Sequence, residues 1–367
     1  MTQFESEFDQ VFKGKGGRYN DRSTEMEYLN WVPICSRILV EWMRHNDPFL
    51  PEPYIDIIDD NEPNAYVTKN GDKYFIGITY GTIVLLNNTF YDMLSSKIFL
   101  TDIRDPAKEV DTKEMLLIRL TKMGQFMLTK DLPEKPVPIN HIRILFAFQL
   151  MKMAVEFLVL HEFAHIIYGH LDFVRSVLGS FEVKEIEEKK ESRNCTDPLI
   201  WQSLEMNADS YAAKRSIDIL EILISNPDAL GPELRPYLNE WPSALRMWVY
   251  STYTFFRLFS NQNNTTGIRN GFHPPPSIRS HLILAVAYSV LGDRIGTHSS
   301  ENLSKICMDA IVEVEGFFEE ISQKEVGFTY LNFMIEEEVF AHSLLLLKNW
   351  KNVEFMLQPF TYLPLTL

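Results

Sequence analysis

Two histidines four residues apart, with a glutamate beside the first, are the residues in this chain best suited to chemistry. They stand in the run His161-Glu162-Phe163-Ala164-His165. On a helix, positions i and i+4 lie one above the other, so both imidazoles reach one metal ion. Glu162 then projects beside them, placed to take a proton from a metal-bound water. The flanking run, VEFLVLHEFAHIIYGH, is strongly apolar, which excludes competing water and rigidifies the ligands. The plainer reading of the same five residues is a buried, hydrogen-bonded histidine pair.

A catalytic zinc takes three protein ligands and keeps a fourth position open. His170 is near in the chain, but it lies five residues past His165 and off the shared face. A metzincin needs Gly three and His six residues after the second histidine, whereas Gly169 and His170 stand at four and five, so that class fails. Gly169 reads instead as a helix terminator. The better third ligand is Glu205, in Glu205-Met206-Asn207-Ala208-Asp209, a pair of carboxylates on one helical face. Asp209 would orient a ligating histidine through its free ring nitrogen. Ala208, Ala212 and Ala213 are small enough for close packing against the first helix. The plainer reading is an amphipathic helix with solvated acids.

The elements that must position these residues read as mostly helical. Apolar spacing predicts helices over 25–46 (with Pro33 as a kink), 82–99, 114–129, 141–172, 199–225 and 243–260, and several more in 301–350. Asn70-Gly71 between two strand-like runs predicts a hairpin within 64–80, whose edge offers a place for an extended substrate. Residues 182–194 are a charge-dense run that reads as a solvated loop or helix face. The segment 171–200 stands as a candidate lid.

Composition excludes several classes. The chain has 367 residues and is 46% hydrophobic, so it folds around a large core. Its net charge of −15 opposes nucleic-acid binding and anionic membrane surfaces. Cys35, Cys195 and Cys307 form neither a disulfide framework nor a thiolate zinc site, and they suit a reducing compartment. No secretory signal is visible at the start. The most apolar stretch, 142–168, is interrupted by charged residues and reads as a core helix rather than a membrane span.

HExxH followed by ExxAD on a later helix resembles the gluzincin metallopeptidases of the HtpX and CAAX-processing type. The chain is most similar to the family of the soluble phage-exclusion protease Lit, in motif order over roughly 140–290. In that group an HPxxxxR-like loop follows the second helix, and here it reads His273-Pro274-Pro275-Pro276-Ser277-Ile278-Arg279. An Asn-Ala dipeptide opens the strand region, here Asn64-Ala65. The resemblance implies His161, His165 and Glu205 as ligands of one zinc ion, Glu162 as general base and Asp209 as the supporting acid. It brings His273 and Arg279 to the site, either to assist an oxyanion or only to cap and orient the following helix, with Arg279 in a salt bridge. It also implies a protein or peptide substrate, with a translation factor as one case.

The expected fold is α+β, predominantly α-helical and zincin-like, with a small antiparallel sheet. Residues 1–24 form a flexible leader, 25–300 the catalytic domain, and 301–367 helices packed on it. The expected function is a cytoplasmic zinc endopeptidase without nucleic-acid or membrane partners. The alternatives are an inactive zincin-fold binding module and a metal-dependent hydrolase of other amides.

Overall fold

The computed structural model describes residues 2–20, 27–104, 106–109, 118–120, 126–128, 137–178, 182–184, 198–259, 271–295, 300–322 and 337–365. These residues are mostly helical, with a small mixed sheet, and the class is α+β. Helix α1 spans Gln3–Val11, α2 Glu27–Asn46 with Pro33 inside it, and strands β1, β2 and β3 span Tyr54–Ile58, Ala65–Asn70 and Lys73–Thr79. Helix α3, Tyr80–Ser95, follows β3 directly, its first turn capped by the Thr79 hydroxyl accepting from the Thr82 N–H.

The expected leader is instead folded over its described part. Thr2 and Glu5 form a reciprocal capping box at the start of α1. Phe8 and Phe12 then bury completely against Ile58, Tyr66 and Phe75. Two apolar rings one helical turn apart in so polar a segment are enough to dock it.

The Asn70-Gly71 hairpin forms as expected, and β2 pairs antiparallel with β3. The sheet is nevertheless mixed, because β1 lies parallel to β3 on its other side. Its outer strands both carry partners. Arg18 bridges Ile58 beside β1. A short strand lies along Tyr66, Val67 and Thr68 of β2. The edge expected to receive a substrate is thus partly occupied from within the chain. The occupant is the first part of the charge-dense run, and residues 185–197 lie outside the described residues, as does Cys195.

Residues 114–129 also depart from expectation. Instead of a helix, Ile118–Leu120 (β4) pairs antiparallel with Phe126–Leu128 (β5). Gly124 lies between them in sequence, and glycine in a helix interior costs about 1 kcal/mol relative to alanine. The strand beside β2 is β6, Glu182–Lys184.

Helix α4, His141–Ile167, is the central helix, with α3, α8 (Trp241–Leu258) and α6 (Pro198–Ser225) packed around it. It is long and apolar enough to cross a bilayer, yet most of that apolar stretch is buried within the fold. Asn140 caps its start by accepting from the Ile142 N–H at 2.9 Å. It ends at Ile167, five residues earlier than the expected end at residue 172, with Tyr168 as its C-cap. There Gly169 takes a left-handed conformation with φ of 69°. A Cβ at this position would lie 2.2 Å from the Phe360 carbonyl oxygen, so both the dihedral and the packed tail demand glycine. Beyond the turn, α5 spans His170–Phe173 and α7 spans Gly231–Leu238. The later helices α9 (Pro276–Ile295), α10 (Ser300–Ser322) and α11 (Glu337–Leu357) complete the bundle, with α10 against α8 and α11 against α6.

Candidate metal centre

The site forms where α4 meets α6. Ala164 on one helix and Ala208, Ala212 and Ala213 on the other are completely buried, so the backbones approach closely enough for short side chains to meet. His161 and His165 share one face of α4, and their Nε2 atoms are 3.1 Å apart. Glu205 on α6 completes the group: Oε2 lies 3.3 Å from His161 Nε2, and Oε1 lies 3.6 Å from His165 Nε2. All three side chains are almost wholly shielded from solvent.

This buried His-His-Glu group is able to hold a metal ion. Around an ion bound tetrahedrally at about 2.0–2.1 Å, neighbouring ligand atoms stand about 3.3 Å apart, which matches these separations. The polarity also fits. Glu205 Oε2 has no hydrogen-bond donor among the described residues. A buried carboxylate oxygen left so costs at least about 1–3 kcal/mol. A cation between the three groups relieves that cost. No other group of this kind occurs among the described residues.

Outside the three ligands, each histidine has a different partner. His161 Nδ1 lies 2.9 Å from Asp209 Oδ1. Arg279 in turn donates to both Asp209 oxygens, from Nε and Nη2, at 2.8 Å each. Burial disfavours the Asp209 carboxylate, but the Arg279 charge and the hydrogen bonds from Arg279 and His161 outweigh it and lower its pKa. His165 Nδ1 meets His170 Nδ1 at 2.9 Å, and His170 Nε2 meets Asn207 Oδ1 at 3.1 Å. Burial, reinforced by neighbouring His161 and His170, holds His165 well below the ordinary imidazole range. Burial likewise pushes His170 down to about 3, against the opposing pull of the Asn207 hydrogen bond.

The expected residues are therefore largely gathered in one place. His161, His165, Glu205, Asp209 and Arg279 form one connected cluster. Glu162 is equally buried, on the helical turn between the two histidines. His273 reaches the cluster too, with Nε2 3.6 Å from Glu205 Oε1, and its side chain, 18% exposed, is the least buried of the group. Arg279 lies in a buried salt bridge with Asp209, and its guanidinium also rests on the Phe256 ring, 4.7 Å from the centroid.

Asn64 belongs elsewhere. Its carbonyl accepts from the Thr79 N–H and from the Thr79 and Thr82 hydroxyls, which ties the start of β2 to the end of β3.

The sequence places His170 off the face shared by His161 and His165 and does not single out Asn207. His170 is off the α4 face, as its spacing demands, but the reversal at Gly169 carries it back to His165. Asn207 and Tyr211, four residues apart, form a second face of α6, and that face meets His170 and Tyr168. The signal available in the sequence was two polar residues, each a few positions from a candidate ligand.

Comparison of the chain with protein-family models, with curated proteins and with solved structures finds no match.

Proposed function

We propose that this chain is a zinc-dependent endopeptidase of the gluzincin type, built on a zincin-like scaffold and acting on a protein substrate inside the cell. The observation that supports it most is the convergence of His161 Nε2, His165 Nε2 and the Glu205 carboxylate at tetrahedral spacing in a buried site. Three protein ligands of this kind, rather than four, suit a catalytic ion more than a structural one. The motif resemblance to Lit-like and HtpX-like peptidases supports the same reading, and it is the sole ground for a translation factor as substrate.

When bound, zinc acidifies a water and polarises the scissile carbonyl. The chain's own residues do the rest. Glu162 takes the proton from the attacking water and returns it to the leaving amine. Its burial keeps bulk water from competing for that proton. His273, on the more exposed side of Glu205, donates to the oxygen that gains charge. Arg279 acts through Asp209: its two hydrogen bonds fix the carboxylate, and the carboxylate fixes the His161 ring.

The test compares wild type with Glu162→Gln. The variant should keep one zinc per chain by elemental analysis and lose about 10²–10⁴-fold in turnover. N-terminal proteomics of expressing cells should show new protein termini with the wild type alone. Equal cleavage by the variant overturns the role of Glu162. Zinc without any new termini favours a binding module.

A further inference from the structure

The two zinc-binding histidines differ in what holds their second nitrogen. His161 is backed by a carboxylate that Arg279 clamps from the other side. Among the described residues no charged group backs His165 at its second nitrogen, which meets a second imidazole, and that imidazole meets an amide. Histidine ligands are usually backed by a carboxylate, a backbone carbonyl or a water.

Resting on the zinc reading above, we propose that His170 and Asn207 are positioning residues that set the tautomer of His165. An amide oxygen only accepts hydrogen bonds. With Asn207 Oδ1 facing His170 Nε2, that nitrogen carries the proton. A neutral His170 then presents a lone pair at Nδ1. The 2.9 Å contact between the two Nδ1 atoms therefore takes its proton from His165. His165 is left with its lone pair on Nε2, the nitrogen that faces His161 and Glu205. One amide orientation thus decides the tautomers of two rings in series. The reverse orientation would place an N–H against His170 Nε2 and put the proton of His165 on Nε2, where it would block an ion.

The arrangement also sets the charge of the centre. Asp209 is already neutralised by Arg279, so Glu205 is the one uncompensated anion among the groups just described. A carboxylate in place of Asn207 would supply the same acceptor but add a second negative charge. The neutral relay orients His165 without lowering the positive charge an ion keeps for its substrate.

Long-range proton–nitrogen NMR of histidine-labelled, metal-free protein tests the tautomers directly. The expected pattern is Nδ1–H on His165 and Nε2–H on His170, each assigned by its own substitution. Nε2–H on His165 overturns the proposal whether or not zinc binds. Zinc affinity, measured by competition with a chromophoric chelator, is the second readout. Asn207→Leu, which keeps the shape and removes the acceptor, should weaken zinc about 10–100-fold. Asn207→Asp, which restores the acceptor, should recover most of that loss. Equal affinity for wild type and Asn207→Leu, with both folded by circular dichroism, overturns the proposal while the zinc reading stands. Absence of zinc binding by the wild type overturns the zinc reading and leaves the tautomer pattern to be judged by NMR alone.

Discussion

The two ends of α4 carry two buried polar clusters built on opposite principles. Near its start, the Arg143 guanidinium is completely buried and meets five backbone carbonyls. Nε donates to Leu94, Nη1 to Leu100 and Ile103, and Nη2 to Ser96 and Phe99, at 2.6–3.2 Å. Its five N–H groups and five acceptors match one to one. Glu109, 3.8 Å away, adds the opposite charge and accepts from the Ile139 and Asn140 N–H groups. Burial still lowers the Arg143 pKa, with Glu109 opposing it. Near the end of the same helix, His161 and His165 turn Nε2 atoms toward each other and toward the Glu205 carboxylate of α6, a group that could hold a metal ion.

The first cluster is complete by itself, and the second is complementary to a cation. Burial and charge alone do not distinguish them, since both are shielded and both contain ionisable groups. Donor–acceptor matching does. A structural cluster satisfies its own hydrogen bonds. A metal centre leaves lone pairs convergent, and their mutual cost is what the ion offsets.

Breaking each cluster should therefore fail in a different way. The largest expected effect is loss of the ion: Glu205→Ala removes the one anionic ligand and should abolish stoichiometric zinc and all cleavage, measured by elemental analysis and a peptidase assay. Arg143→Met leaves five carbonyls without their donor and should destabilise the fold by about 3–5 kcal/mol by denaturant titration, with zinc content unchanged in the folded fraction. A low zinc content in folded Arg143→Met would break the distinction. Chelation should lower the melting temperature of the wild type, by an amount that grows with zinc affinity (about 4 kcal/mol at a thousandfold excess over Kd), and should leave that of Glu205→Ala unmoved. Asp209→Asn should weaken zinc about 10–100-fold in a chelator competition, because it loosens both Arg279 and the His161 ring. The smallest effect is expected at the pair joining β2 to α5. Lys69 Nζ lies 2.8 Å from Asp172 Oδ2, both partly exposed, and Asp172→Asn should cost no more than about 1 kcal/mol.

Much of the cluster was legible in the chain because its geometry is local. The spacing of His161 and His165, and of Glu205 and Asp209, follows from 3.6 residues per turn once a helix is granted. The hairpin at Asn70-Gly71 is local in the same sense. The docking of α1 and the parallel pairing of β1 with β3 were not legible, because neither depends on the residues nearest in sequence. Phe8 and Phe12 look like apolar residues in a polar leader until the sheet supplies Tyr66 and Phe75. Arg143 reads in sequence only as a charge interrupting an apolar helix, because its acceptors lie at the end of α3 and in the loop after it, at least forty residues earlier.

The sequence by itself determined the types and helical spacing of the residues that could hold a metal ion, and the glutamate beside them. Tertiary structure alone decided the environment of each histidine. The packing of α9 on α6 decides that Arg279 holds Asp209. Which face of α6 meets α5, and where Gly169 turns the chain, decide that His170 and Asn207 stand behind His165. Those contacts bridge helices and follow from packing of the whole core, which no spacing within one helix encodes.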